Sequence, residues 1–60
     1  MGEKLKAARL AAGLTQAQLA EAVGCLQKDI SRYESGQHEP GALTLKKMAQ
    51  ALRCSMDDLV

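Results

Sequence analysis

Four polar side chains, Gln27, Lys28, Ser31 and Arg32, recur at i, i+1, i+4 and i+5 within one short stretch of the chain. On an α-helix that spacing gathers them on a single face. Their chemistry is hydrogen bonding to planar edges. A glutamine carboxamide can pair bidentately with adenine, while lysine and arginine favour the N7 and O6 acceptors of guanine. A helix carrying such groups near its N-terminus suits the DNA major groove, where each base pair displays a distinct pattern of donors, acceptors and methyls. A solvated surface face is the plain alternative, so the weight falls on the elements that would position these residues.

Two short amphipathic stretches flank Gly24, and together they read as a helix-turn-helix over residues 15–36. Thr15 and Gln18 form a T-x-x-Q capping box, with Leu14 and Leu19 placed as a hydrophobic staple. Leu19, Ala20 and Val23 make the buried stripe of the bracing helix, and Gly24 permits the turn. The free amides at this helix start, with the Gln16 and Gln18 side chains, suit a phosphate. The next helix is expected over Gln27–Ser35, stopping at Gly36, with Ile30, Tyr33 and Glu34 facing inward. Upstream, Leu5, Ala8, Arg9 and Ala12 form the stripe of a first helix that Gly13 closes. Arg9 and Glu34 thus put two charges on core-facing stripes, where each needs a partner. A loop with Pro40 follows, then a helix from about Ala42 with Leu45, Met48, Ala49 and Leu52 inward. Ser55 reads as the N-cap of a last helix with Asp57 and Asp58 in its first turn, barely one turn of which fits before Val60. Strand-like alternation is missing, and no internal repeat, low-complexity tract or flexible linker is evident.

Sixty residues make one domain, 1–60, of marginal expected stability. With no tryptophan or phenylalanine, and Tyr33 the only aromatic, the core must be aliphatic. Cys25 and Cys54 read as buried, reduced thiols of a cytoplasmic protein. One histidine and no Cys-x-x-Cys leave no workable zinc site, so neither metal nor cofactor is expected. No segment is apolar for long enough to span a membrane. A net charge of +1 decides nothing about nucleic acid, because the placement of charge matters more than its sum. Enzyme chemistry lacks a nucleophile–base pair and room for an enclosed pocket, and no small-molecule ligand is evident.

The order and spacing of Leu5, Arg9, the Gly13-Leu14-Thr15-Gln16 run, Leu19-Ala20, Gly24, Ile30, Glu34-Ser35-Gly36, Pro40, Leu45, Ala49-Gln50-Ala51-Leu52 and Leu59 resemble the DNA-binding domain of the phage repressor and Cro (Xre) family. The resemblance covers nearly the whole chain. It implies an all-α, compact bundle of about five short helices with a lambda-repressor-like helix-turn-helix. It also implies a non-enzymatic bacterial or phage transcriptional regulator that binds a twofold double-stranded DNA operator as a homodimer. By position, Gln27, Lys28, Ser31 and Arg32 match base-reading residues. Thr15, Gln16, Ser35 and Gln37 match residues that meet the phosphate backbone. Arg9 and Glu34 match a structural ion pair.

Several residues depart from that pattern. Leu26 stands where a Ser or Thr N-cap is usual, so a ragged helix start, or one from Cys25, is expected there, with Leu26 partly buried rather than in contact with a thymine methyl. Asp29 suits the helix dipole but repels phosphate. Glu39 follows Gln37 and His38 in a loop where relatives often carry a base, and Arg53 replaces a glycine. Few basic residues on the binding face imply weak monomer binding and a need for dimerisation, with the last helix and adjoining loop expected at the contact. The competing reading is an antitoxin-type or adaptor domain that uses the same fold to bind protein. Exposed apolar residues across Gln27–Arg32 would favour it, and this face is polar.

Overall fold

A computed structural model describes residues 1–60, and all of its regular secondary structure is helical. The helices are α1 (Gly2–Ala11), α2 (Gln16–Val23), α3 (Gln27–Ser35) and α4 (Ala42–Leu52), followed by a single 3₁₀ turn at Met56–Asp58. The expected fifth helix is therefore a three-residue turn, and the α-helices number four. Its shape has a local cause. The Leu59 amide closes back on the Met56 carbonyl at 3.0 Å, and the Leu59 side chain is wholly buried, pinning the chain to the core.

Each of the four α-helices supplies one large side chain with essentially no exposure, Leu5, Leu19, Ile30 and Met48, and Leu59 adds a fifth just after the 3₁₀ turn. Ala20, Val23, Leu45, Ala49 and Leu52 complete the core. The stripes expected on α2 and α4 are all buried. On α1, Ala8 is half-buried against the core and Ala12, the C-cap residue, is exposed. The helix ends at Ala11, so Ala12, although its amide still bonds to the Ala8 carbonyl, lies past the packed part of the stripe. Within this aliphatic core α2 packs on both α3 and α4, and α1 lies against α3. The α1–α3 approach is close enough to demand glycine. A Cβ on Gly2 would run into the Glu34 carbonyl and stand 2.9 Å from that of Tyr33.

Against the expectation of no internal repeat, one is legible in the letters and matched in geometry where α2 and α4 close. Residues 14–30 and 43–59 align with Leu14, Thr15, Ala20, Ala22, Cys25 and Asp29 opposite Leu43, Thr44, Ala49, Ala51, Cys54 and Asp58. Both helices close alike: the Cys25 amide reaches Ala20 O at 2.9 Å and the Cys54 amide reaches Ala49 O at 3.0 Å. Both next segments start alike, with Asp29 accepting from the Leu26 amide at 3.3 Å and Asp58 from the Ser55 amide at 3.1 Å. The left-handed residue at the first closure is Gly24 (φ 76°); at the second it is Arg53 (φ 55°), which adopts that region despite its Cβ.

Candidate nucleic-acid interface

The helix-turn-helix is built from its caps. Thr15 Oγ1 accepts from the Gln18 amide at 3.1 Å, and Gln18 Oε1 accepts from the Thr15 amide at 2.8 Å, so the box read from the sequence is complete. Leu14 is half-buried against the core and Leu19 fully buried, which fixes the entry of the chain into α2. After Gly24 the chain turns into α3, whose boundaries match the expected Gln27–Ser35 with Gly36 beyond.

On α3 the structure keeps Gln27, Lys28, Ser31 and Arg32 exposed, while Ile30 is buried and Tyr33 and Glu34 are half-buried. Gln27 with Ser31, and Lys28 with Arg32, form two adjacent i, i+4 rows opposite the core. The four are thus brought together on one outward surface. Ser35 continues that surface, its Oγ donating to the Arg32 carbonyl at 3.1 Å. Gln37 is exposed just beyond, and its amide donates to the same carbonyl at 3.0 Å.

Behind the row sits a charged network. Arg9 Nε donates to Glu34 Oε2 at 2.6 Å, Nη2 to Glu34 Oε1 at 3.1 Å, and Nη1 to the Leu14 carbonyl at 2.8 Å. The two side chains are only 8% and 5% exposed, so the pairing expected for these charges is present and desolvated. Gln16 Nε2 also donates to Glu34 Oε1, at 3.1 Å. No buried side-chain polar atom lacks a partner. Burial alone would push the Glu34 carboxyl up. Hydrogen bonds from Arg9 and Gln16, with the charges of Arg9 and Lys6, outweigh it and hold the group below its ordinary range. The hydrogen bond to Glu34 likewise raises Arg9, against its burial.

This network changes how Gln16 is seen. Its carboxamide N–H ties the start of α2 to the end of α3, leaving its main-chain N–H and carboxamide oxygen to meet any external group. Leu26 also differs from expectation. It is 59% exposed rather than partly buried, and α3 starts cleanly from it. Leucine has no acceptor to cap the helix, so only the Asp29 half of the capping arrangement exists. The role of Asp29 as acceptor for that amide was signalled by its position, three residues after the N-cap, where a capping-box acid belongs.

Cys25 and Cys54 are free, half-buried thiols packed on the core. Burial, then the neighbouring Asp29 or Asp58 charge, raises each above its ordinary pKa, which disfavours the reactive thiolate. No group of His, Cys, Asp and Glu side chains is arranged to hold a metal. A polar cleft of about 200 Å³ between Asp29, Arg32, Tyr33, His38 and Glu39 borders the exposed row. The larger depression, between the end of α2 and α4, includes none of the four row residues. No helix is long and apolar enough to cross a membrane.

The sequence profile of the helix-turn-helix family, of the Xre, Cro and C1 repressor type, matches residues 5–59. The chain belongs to that family. It is 36% identical over 59 residues to an SPbeta prophage-derived uncharacterized HTH-type transcriptional regulator of Bacillus subtilis, covering 98% of this chain and 55% of that protein. It is 37% identical over 60 residues to repressor protein C2 of Salmonella phage P22, covering all of this chain and 28% of that protein. The chain therefore spans about half or less of the length of these relatives. Among solved structures, the restriction-modification controller protein C.AhdI of Aeromonas hydrophila superposes with a TM-score of 0.92 at 30% identity. The P22 c2 repressor in complex with a synthetic operator superposes with the same TM-score at 36% identity. Each match covers 98% of this chain and 89% of the other.

Proposed function

We propose that this helix-turn-helix domain binds double-stranded DNA sequence-specifically as the DNA-binding part of a bacterial or phage transcriptional regulator, with α3 in the major groove. The observation that carries this reading is the row of Gln27, Lys28, Ser31 and Arg32, exposed on a helix whose opposite face is locked to α1 and α2 through Arg9, Gln16 and Glu34. A rigid helix with free donors and acceptors on one side is what base-edge recognition requires. The fold it shares with an operator-bound repressor supports DNA as the partner of that row.

In this reading Gln27, Lys28, Ser31 and Arg32 address bases. Thr15, Gln16, Ser35 and Gln37 address phosphates on either side, supplemented by the free amides at the start of α2. Arg9 and Glu34 are structural. With two basic side chains in the reading row and Glu39 beside Arg32, one domain neutralises few phosphates. The working form is a homodimer on a twofold operator, with half-sites about one helical turn apart. The polar row weighs against an adaptor domain that uses this face for protein.

In vitro selection from a random duplex pool tests the reading, because it returns the operator, its symmetry and its spacing together. Gln27→Ala and Arg32→Ala should each weaken binding to the selected site by about 1–3 kcal/mol and relax preference at one base pair. Unchanged specificity in both variants removes α3 from the groove.

A further inference from the structure

We propose that the outward face of α4 is a second, sequence-independent DNA contact, which holds the phosphate backbone of a duplex segment other than the one read by α3. This role rests on the placement of α3 in the groove and uses none of its row. Lys46, Lys47 and Arg53 are the only charged residues between Pro40 and Met56, and all seven acids of the chain lie outside that stretch. Burial of Leu45, Met48, Ala49 and Leu52 turns Lys46, Lys47 and Gln50 outward on α4, and Arg53 follows at its C-cap. All four are exposed, and Leu43 at the start of the helix is the one large apolar member of the face. The chain's one ion pair is Arg9–Glu34, so no acid of the domain neutralises the three cations.

The shared pattern of the two halves does not require this charge. Where α4 carries Lys46, Lys47 and Gln50, the equivalent outward positions of α2 carry Ala17, Gln18 and Glu21. Arg53 adds an independent sign. It is the chain's one non-glycine residue at positive φ (55°), in the place where the first half has Gly24. Glycine takes that conformation freely and an L-residue does not. A strained arginine that pairs with no acid of its own chain points to an outside partner. Protein interfaces are depleted in lysine and built on aromatic anchors, and this face has two lysines and no aromatic. Lysine as a point charge and arginine as a bidentate fork both suit phosphate. Lys46 to Arg53 spans about 10 Å along the helix, the axial length of about three phosphates on one strand. Because α2 packs on both α3 and α4, the outward faces of those two helices diverge. A duplex seated on α3 therefore leaves the α4 face open to another.

The test saturates the reading face with a short duplex recovered by in vitro selection and then adds a labelled duplex of unrelated sequence. Wild type should capture the second duplex at low salt, with a log–log salt slope of about −2.7, the value for three phosphates. Lys46→Gln with Lys47→Gln should leave a slope of about −0.9. The triple variant that adds Arg53→Gly should capture none, yet bind the short selected duplex with the affinity and slope of wild type. It should melt no lower than wild type, since glycine relaxes residue 53, and this separates lost charge from lost fold. If the triple variant captures the second duplex as wild type does, α4 has no such role. A triple variant that also loses affinity and slope on the selected duplex puts the stripe on the read segment and overturns the second contact. Poly-glutamate of equal charge bound as tightly as the second duplex assigns the face to acidic protein instead. Recovery of no preferred duplex overturns the groove reading itself, and this contact with it. A preferred duplex without capture of a second one overturns this contact alone.

Discussion

Replacing Glu34 by glutamine removes one charge from the Arg9–Glu34 network while keeping its shape. Arg9 donates three hydrogen bonds, two of them to Glu34, from a side chain only 8% exposed. After the substitution the guanidinium stays buried with the Leu14 carbonyl as its one undisturbed acceptor. Stranding a buried charge in this way costs about 3–5 kcal/mol, and the amide's residual hydrogen bonding to Arg9 or Gln16 places Glu34→Gln near the lower end. A 60-residue domain has only about 3–9 kcal/mol in total. At about 4–8 °C per kcal/mol, Tm should fall by about 12 °C or more. Far-ultraviolet circular dichroism melts and urea titrations would measure both quantities. The pH dependence adds a second check. Because the Glu34 carboxyl is held below its ordinary range, its contribution is fully present above the unfolded-state pKa, about 4.3. It is lost as pH falls through the lower folded value. The gap between wild type and Glu34→Gln should therefore be constant near neutrality and close in acid. The double variant Arg9→Met, Glu34→Leu removes both charges and should recover much of the loss. A double variant no more stable than Glu34→Gln alone would refute the argument that the cost is a stranded charge.

Two further substitutions probe the backbone. Arg53→Gly should stabilise by about 0.5–1 kcal/mol in urea titrations, since a left-handed L-residue costs about 1–2 kcal/mol and glycine returns part of this as unfolded-chain entropy; a lower urea midpoint would count against it. Gly2→Ala should destabilise by about 1–3 kcal/mol, because its methyl meets the Glu34 and Tyr33 carbonyls at the α1–α3 crossing. An unchanged melt would mean that the crossing yields freely.

Much of the fold was legible because the local signals agree with the tertiary ones. The Thr15–Gln18 box, the Gly24 turn and the α4 stripe each state a boundary or a face that nothing else in the chain contradicts. The Arg9–Glu34 pair was readable as two charges on apolar stripes, with each able to satisfy the other. What stayed hidden depends on neighbours distant in sequence. The engagement of Gln16 with Glu34 spans 18 residues and leaves no periodic trace. Gly2 looks like an ordinary N-terminal residue until α3 is laid across it. The exposure of Leu26 reverses a hydrophobicity-based expectation, because hydrophobicity alone does not say whether a core has room for one more leucine. The last helix was overestimated because Ser55, Asp57 and Asp58 signal only how a helix begins.

The distribution of Leu5, Leu19, Ile30, Met48 and Leu59, one from each helix and one just past the 3₁₀ turn, has a dynamic consequence. No element can detach without opening the space that the other four side chains fill, so the domain should have no cheap sub-global opening apart from frayed ends. In the proposed DNA-binding role, α3 is then as ordered before the encounter as after it. Association need not supply the entropy of ordering α3, and a search along non-cognate DNA proceeds with the same rigid surface that finally docks. Discrimination between sites must come from the fit of side chains at the base edges, since the backbone that carries them has no folding transition to lend to the choice.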